Sequence, residues 1–230
     1  AVVNRFRLLA TVMKAAIVPL HWSLKRRLLQ SLFHYQLDPS ARIGFSWVYP
    51  CKLRMDAGSR IGDLTVAVNL DLLAMGTFAS IGRSNWITGF PSGTDSPHFA
   101  HQSIRNAELI IGEHSAITKN HHIDATNRIL IGSHTTLAGY RSQLLTHSID
   151  LQLSRQHSEP ITIGSYCFIG TNCVLLGGSK LPDYCVLGAL SLLNKPFNDT
   201  WSLYAGQPAI KIKQIDKNSS FFSRPIGFVE

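Results

Sequence analysis

From residue 41 onward, large aliphatic residues recur at every sixth position. Ile163, Ile169, Leu175, Leu181, Leu187 and Leu193 form the longest unbroken series. Ile111, Ile117 and Ile123 keep the same step, and Ile131 and Leu137 resume it after a slip of two. Nearer the N-terminus Ile43, Tyr49, Met55 and Ile61 fit it, as do Met75, Ile81 and Ile87. Glycine follows many of these residues, as Gly44, Gly62, Gly82, Gly112, Gly132, Gly164, Gly170 and Gly188. A second slot, four residues after the aliphatic, holds small residues in the last series: Cys167, Cys173, Ser179, Cys185 and Ser191. An α-helix turns every 3.6 residues and does not return to one face after six. An alternating strand needs no glycine at each repeat. The pattern predicts short straight segments joined by tight corners, with the large residue pointing inward, the small one in a confined place and glycine relieving the turn. One such coil cannot cover its own apolar face, so the coils must stack. The expected architecture is an all-β solenoid.

Residues 1–37 follow a different period. Phe6, Leu9, Met13, Ile17 and Leu20 are three or four apart, as are Leu24, Leu28 and Leu32. They predict an α-helical segment that Pro19 divides in two. Trp22, Phe33 and Tyr35 add aromatic bulk. The same segment holds Arg5, Arg7, Lys14, Lys25, Arg26 and Arg27, and no acid precedes Asp38. It therefore carries +6 of the chain's formal +8 and leaves the remainder at +2. With so small a basic excess on the body, no nucleic-acid partner is expected. Apolar residues among purely basic charges fit two arrangements: a helical cap packed on the solenoid or a partner subunit, and a helix lying on an anionic membrane surface.

Composition removes other classes. With 45% hydrophobic and 16% charged residues the chain can build a core and is not intrinsically disordered. Four cysteines in 230 residues are too few for a disulfide scaffold. No Cys-x-x-Cys spacing points to a metal. Cys167 and Cys185 are 18 residues apart, which stacks them on neighbouring coils as inert buried thiols. No run reaches the roughly 20 apolar residues that a membrane-spanning helix needs.

The aliphatic-Gly-x-x-small-x unit, in register over roughly residues 41–215, resembles the hexapeptide repeat of left-handed parallel β-helix acyltransferases. The stretch from Tyr204 to Lys213, YAGQPAIKIK, is similar to the segment that closes the acetyltransferase branch of that family. The resemblance implies a left-handed parallel β-helix, three hexapeptides to a triangular coil, with an N-terminal α-helical segment. It divides the chain into a basic helical segment over 1–38, the β-helix acyltransferase domain over 39–215 and a tail over 216–230. It also implies a homotrimer, acetyl-CoA as co-substrate, a carbohydrate acceptor and no metal. The tail aromatics Phe221 and Phe222 stand outside the repeat and are expected to dock on a neighbouring surface.

Two interruptions break the repeat, near 90–107 and near 141–160, and interruptions of a solenoid are where function concentrates. The first contains Asp95, His98 and His101; the second contains His147, Asp150, Arg155 and His157. In the second, Leu145-Thr146-His147-Ser148 followed by Glu159-Pro160-Ile161 resembles the protruding loop of the sugar O-acetyltransferases. That resemblance implies His147 as general base. The chemistry has need of one, because a sugar hydroxyl is a poor nucleophile at neutral pH and an imidazole can take its proton during attack on a thioester. The group that orients His147 is left open between Asp150, Asp124 and a backbone carbonyl. His121 fills a slot that is otherwise small, and His122 follows it; with His98, His101 and Asp95 they are candidate acceptor-binding residues.

Positions matching the family's donor site are Phe168, Thr171, Ala189, Asn194, Lys195 and Lys213, with Lys211 beside them for phosphate pairing. One departure stands out: the family's Gly-Ala-Gly-Ser reads Gly188-Ala189-Leu190-Ser191 here, and Leu190 adds bulk at the donor groove. The expected activity is acetyl-CoA-dependent O-acetylation of a cell-surface polysaccharide or its precursor, in the cytoplasm or at the inner face of the membrane. The alternatives are a non-catalytic trimeric scaffold, an N-acyltransferase and a zinc hexapeptide enzyme of the γ-carbonic-anhydrase type.

Overall fold

The computed structural model describes residues 2–227 and 229, and of residues 2–7 the backbone only. The expectations for the side chains of Arg5, Phe6 and Arg7 therefore fall outside the described residues. The chain forms a triangular solenoid, the left-handed parallel β-helix that the repeat implies. Strands follow one another through a first, a second and a third wall, and pair in parallel with their equivalents one coil away; at the C-terminal end Ala209–Gln214 turns back antiparallel on Ser202–Gly206. Among the described residues the three walls hold seven, nine and seven strands.

The periodic residues form the interior. Ile111, Ile131 and Ile163 lie in one row of the first wall. Ile117, Leu137, Ile169 and Leu187 align in the second, and Ile123, Leu144, Leu175 and Leu193 in the third. All of them are at most 2% exposed. Each such side chain contributes about 1.5–3 kcal/mol by leaving water. Stacking in register lets every inward residue meet its own kind above and below, which is why the six-residue step persists. Tyr49 is the exception to the expected series. The third-wall row is continued by Val48, paired with Ala67, and Tyr49 turns outward to give its hydroxyl proton to the Lys14 carbonyl at 2.7 Å.

Small residues are required at the corners because the walls converge there. Cys167, Cys173 and Cys185 are fully buried, and the Cys167 Sγ–H faces the Pro182 carbonyl at 3.0 Å. Burial raises all three thiols and brings Cys185 to about 11, so they stay protonated and unreactive. Glycine tolerates the closest approaches: a Cβ on Gly82 would collide with the Thr118 carbonyl of the next coil.

At the corner between the first and second walls, one residue per coil adopts a left-handed backbone: Phe78, His114, His134, Tyr166, Tyr184 and Trp201. Left-handed geometry costs a non-glycine residue roughly 1–2 kcal/mol. Here it aims successive rings outward in one file. Centroids are 5.2 Å apart for Phe78–His114, 5.0 Å for His114–His134, 4.6 Å for His134–Tyr166, 5.3 Å for Tyr166–Tyr184 and 4.3 Å for Tyr184–Trp201. Stacked pairs contribute about 0.5–1.5 kcal/mol each, which offsets the backbone cost. The expected docking of the tail is on this file, within its own chain. Phe222 packs on Tyr184 and Trp201, and the Arg224 guanidinium lies 3.9 Å from the Phe221 centroid while donating to the His134 carbonyl.

Helices α1 (Val2–Ile17) and α2 (Trp22–Phe33) flank Pro19. The buried positions differ from the expected seam. Ile17, Lys25 and Leu29 face the first coil, whereas Leu9, Met13, Leu24 and Leu32 are exposed. α2 thus presents a face shifted by one residue, because the Lys25 ammonium caps two carbonyls, Gly44 at 2.6 Å and Val18 at 3.2 Å. Burial lowers Lys25 to about 8, against a weaker opposing pull from Asp63. Between pH 8 and the ordinary lysine value the unfolded chain holds a proton that the folded chain has released, so stability rises with pH across that window. In Lys25→Met this rise is expected to flatten, as read from denaturation midpoints at pH 7.5 and pH 10.

Candidate active site

Both interruptions leave the solenoid beside the corner between the third and first walls. The first runs from Gly89 to Ala107 and is tied at both ends to Asp71. Its carboxylate accepts the N–H of Ser92 at 3.0 Å and of Ala107 at 2.8 Å. Arg105 is buried inside this loop and donates to the carbonyls of Thr126, at 2.6 Å, and of Phe90 and Pro91. Its guanidinium also lies 4.6 Å from the Phe99 centroid. Desolvation lowers its pKa, and Asp71 opposes the shift.

The second protrusion begins at Thr146, not at Arg141. Gln143–Leu145 remains a third-wall strand, paired with His122–Asp124 on one side and Val174–Leu176 on the other. The protrusion is a β-hairpin of His147–Asp150 against Arg155–Ser158. Thr146 anchors its base by donating its hydroxyl proton to the Asp124 carbonyl at 2.8 Å. The two interruptions are stitched together where Ser158 gives its hydroxyl proton to the Gln102 amide oxygen at 2.8 Å and the Gln102 amide donates to the Ser158 carbonyl at 2.9 Å.

A crevice of about 310 Å³ lies between them, with Thr88, Phe90, His98, Phe99, Asp124, His147 and Gln156 on its walls. His147 Nδ1 is 3.8 Å from Asp124 Oδ2, within ion-pair reach but longer than a hydrogen bond. Its Nε2 abuts Gln156 Oε1. Phe99 packs against the imidazole at 5.5 Å with the rings at 73°. The arrangement is an accessible imidazole with a carboxylate on one nitrogen, an amide on the other and an aromatic wall behind it.

Of the two carboxylates weighed for orienting His147, only Asp124 reaches it. Asp150 faces the hairpin turn, where it accepts the N–H groups of Gln152 and Leu153 at 3.1 Å and lies 3.6 Å from Arg155 Nε. His98 lines the crevice, and His101 lines the adjoining cavity. Asp95 is exposed in the loop and lines neither. His122 is exposed on the outer face of the third wall, 6.4 Å from Trp86.

His121 is a correction to the expected acceptor set. It is 2% exposed and forms one rung of a ladder that joins successive coils. Its N–H donates to Asn85 Oδ1 at 2.9 Å, and its Nδ1 accepts the Ser142 N–H at 3.2 Å. Nε2–H is then left to face Thr118 Oγ1 at 2.9 Å. Burial lowers its pKa to about 4, so it stays neutral and committed to the wall. It replaces the usual small residue because the ladder continues through its ring.

The expected donor residues lie elsewhere. Thr171, Ala189 and Leu190 occupy the corner between the second and third walls, and Phe168 stands on the outer face of the second wall, 5.9 Å from Phe221. Asn194, Lys195 and Lys213 are exposed; Lys211 pairs with Asp199 at 2.8 Å. Leu190 is exposed in a left-handed conformation, the geometry that glycine would otherwise supply. One chain does not bring these residues to His147. Gln156, Phe99 and Arg105 carry no motif in the sequence; only their place in the two interruptions marks them. Among the described residues, no group of three or more His, Cys, Asp or Glu is placed to hold a metal ion.

No family profile matches the chain, and neither does any curated protein. Solved structures do. A hexapeptide transferase family protein from Anaplasma phagocytophilum is 18% identical, with 77% of this chain and 84% of that one covered and a TM-score of 0.51. A Bacillus cereus protein provisionally named an acetyltransferase is 17% identical over 77% and 86% of the two chains, also at 0.51. A hexapeptide-repeat-containing acetyltransferase from Vibrio cholerae is 18% identical over 94% of each chain, at 0.47. At these identities the first two show the fold, and the chain is built as the left-handed parallel β-helix of hexapeptide-repeat transferases.

Proposed function

We propose that this chain transfers an acetyl group from acetyl-CoA to a hydroxyl of a carbohydrate, with His147 as general base. The observation that carries the reading is the His147 imidazole between Asp124 and Gln156, in an aromatic-walled crevice where the repeat is interrupted. The acceptor oxygen attacks the thioester carbonyl as His147 Nε2 takes its proton; the carbon–sulfur bond breaks, and the coenzyme thiolate takes the proton back from the imidazolium. An ester and free coenzyme A result. Asp124 keeps Nδ1 protonated and stabilises the imidazolium. With its amide turned to present the NH2 group, Gln156 donates to the unprotonated Nε2 and holds the ring until the acceptor hydroxyl takes its place.

In this reading residues 39–215 are the catalytic solenoid, 1–38 a helical segment and 216–230 a tail. Phe168, Thr171, Ala189, Asn194, Lys195 and Lys213 receive the coenzyme, and Lys211 meets its phosphates by exchanging Asp199. Because the donor corner and His147 occupy different corners of the triangle, a homotrimer would complete the site by setting one copy's donor corner against its neighbour's crevice. The exposed Leu8, Leu9, Val12, Leu24 and Leu32 beside Arg26 and Arg27 suit the cytoplasmic face of an anionic membrane.

The test is calorimetric titration of acetyl-CoA, followed by thiol release in the presence of saccharides. Binding with carbohydrate-dependent release supports the reading; absence of acetyl-CoA binding overturns it. Asp124→Asn is expected to cost about tenfold or more in kcat than Asp150→Asn does, because only Asp124 reaches the imidazole. Equal losses would remove Asp124 from its role.

A further inference from the structure

A second cavity adjoins the His147 crevice, and its chemistry narrows the acceptor. It holds about 360 Å³ and is lined by His98, His101 and Arg155 with Phe99, Ile149 and Gln156. His98, Phe99 and Gln156 line both cavities, so the two spaces adjoin at these side chains. A saccharide with one hydroxyl at His147 would thus place a neighbouring substituent or the next ring in the second cavity. No carboxylate is among the residues lining it. Asp150, outside the lining, lies 3.6 Å from Nε of Arg155 and is also held by the N–H groups of the turn. The two terminal nitrogens of Arg155 make no hydrogen bond among the described residues. A planar fork with free donors, two imidazoles and an aromatic wall is a receptor for a carboxylate or sulfate ester on a sugar ring.

The opposite arrangement holds at Arg105, in the first interruption. There every contact is to backbone carbonyls and aromatic faces, so that guanidinium is spent on holding the loop. Arg155 has no such structural duty beyond the hairpin turn, and 45% of its side chain is exposed.

Resting on the acetyl-transfer reading, we infer that the acceptor is an anionic saccharide, recognised through Arg155 with His98 and His101 beside it. The test compares matched pairs, methyl glucuronide against methyl glucoside and N-acetylneuraminate against its methyl ester, in acetyl-CoA-dependent thiol release. The acidic member is expected to be the better acceptor by about 10- to 100-fold in kcat/KM. The ratio should fall as salt is added. It should collapse towards one in Arg155→Gln, while Arg155→Lys keeps a large part of it. Equal use of both members, or a ratio indifferent to Arg155→Gln, overturns the inference and leaves acetyl transfer standing. If no saccharide is acetylated, calorimetry with the same pairs separates the two ideas. Arg155-dependent binding of the acid alone keeps the anionic subsite while acetyl transfer falls; no preference in binding sinks the subsite as well.

Discussion

His147→Gln is expected to lower the rate of acetyl transfer by about 10²- to 10⁴-fold while acetyl-CoA binding persists. Glutamine keeps a polar group of similar reach but cannot accept and return a proton. The loss is therefore a loss of proton transfer and should fall on kcat. Stability should change little, since the side chain is 37% exposed and contributes nothing to the inner rows. The measurement is steady-state thiol release alongside a thermal melt. Full activity in His147→Gln would remove general-base catalysis by this residue; a rate loss accompanied by a collapsed melt would show that His147 holds the hairpin rather than the proton.

Tyr204→Ala is expected to cost about 3–5 kcal/mol in stability, the largest effect foreseen for a single truncation here. Tyr204 is fully buried, pairs with Leu187 in the second wall and stacks on Phe197 at 4.1 Å. It closes the C-terminal mouth of the solenoid by covering Leu187, while among the described residues Leu193 lies on the last third-wall strand. Its hydroxyl gives its proton to the Asp199 carbonyl at 2.8 Å, so Tyr204→Phe should cost only about 1 kcal/mol. In a stack of coils stability is a sum of neighbour contacts, and an uncapped end frays first. Hydrogen exchange should show lost protection in Val186–Leu187 and Leu192–Leu193 before Ile111 or Ile131. Uniform loss along the whole stack would show that the solenoid unfolds as one unit and that Tyr204 is not an end cap. In the proposed reading Ala189, Lys195 and Lys213 at this end receive the coenzyme, so acetyl-CoA binding should weaken with it, whereas loop-borne His147 stays in place.

The file of rings at the first corner shows where periodicity reaches its limit. Phe78, His114, His134, Tyr166 and Tyr184 each stand three residues after an inward aliphatic: Met75, Ile111, Ile131, Ile163 and Leu181. The signal is present in the chain. It is scattered among hexapeptides of the other two walls and displaced by two interruptions, so it emerges only when every third unit is superposed. The tail that covers these rings has no repeat at all, and its seat on Tyr184 and Trp201 follows from the shape of the folded surface. His121 misled for a related reason. A histidine in a small slot resembles a functional exception, yet the inter-coil ladder accepts any side chain that offers an acceptor to the next N–H, and imidazole Nδ1 does so.

The sequence by itself determined the solenoid, its inner rows, the two helices around Pro19 and the interruptions beside His147. All of these depend on local periodicity, because burial repeats with the backbone and leaves its mark every six residues. Tertiary structure alone decided that Asp124 rather than Asp150 approaches His147, that Lys25 and Leu29 face the first coil, and that Arg155 opens into a cavity beside the crevice. Those choices depend on which strand ends converge at one corner. Asp124 comes from the coil before the hairpin, and its distance from His147 is set by the stacking of two turns, which no spacing within either segment encodes.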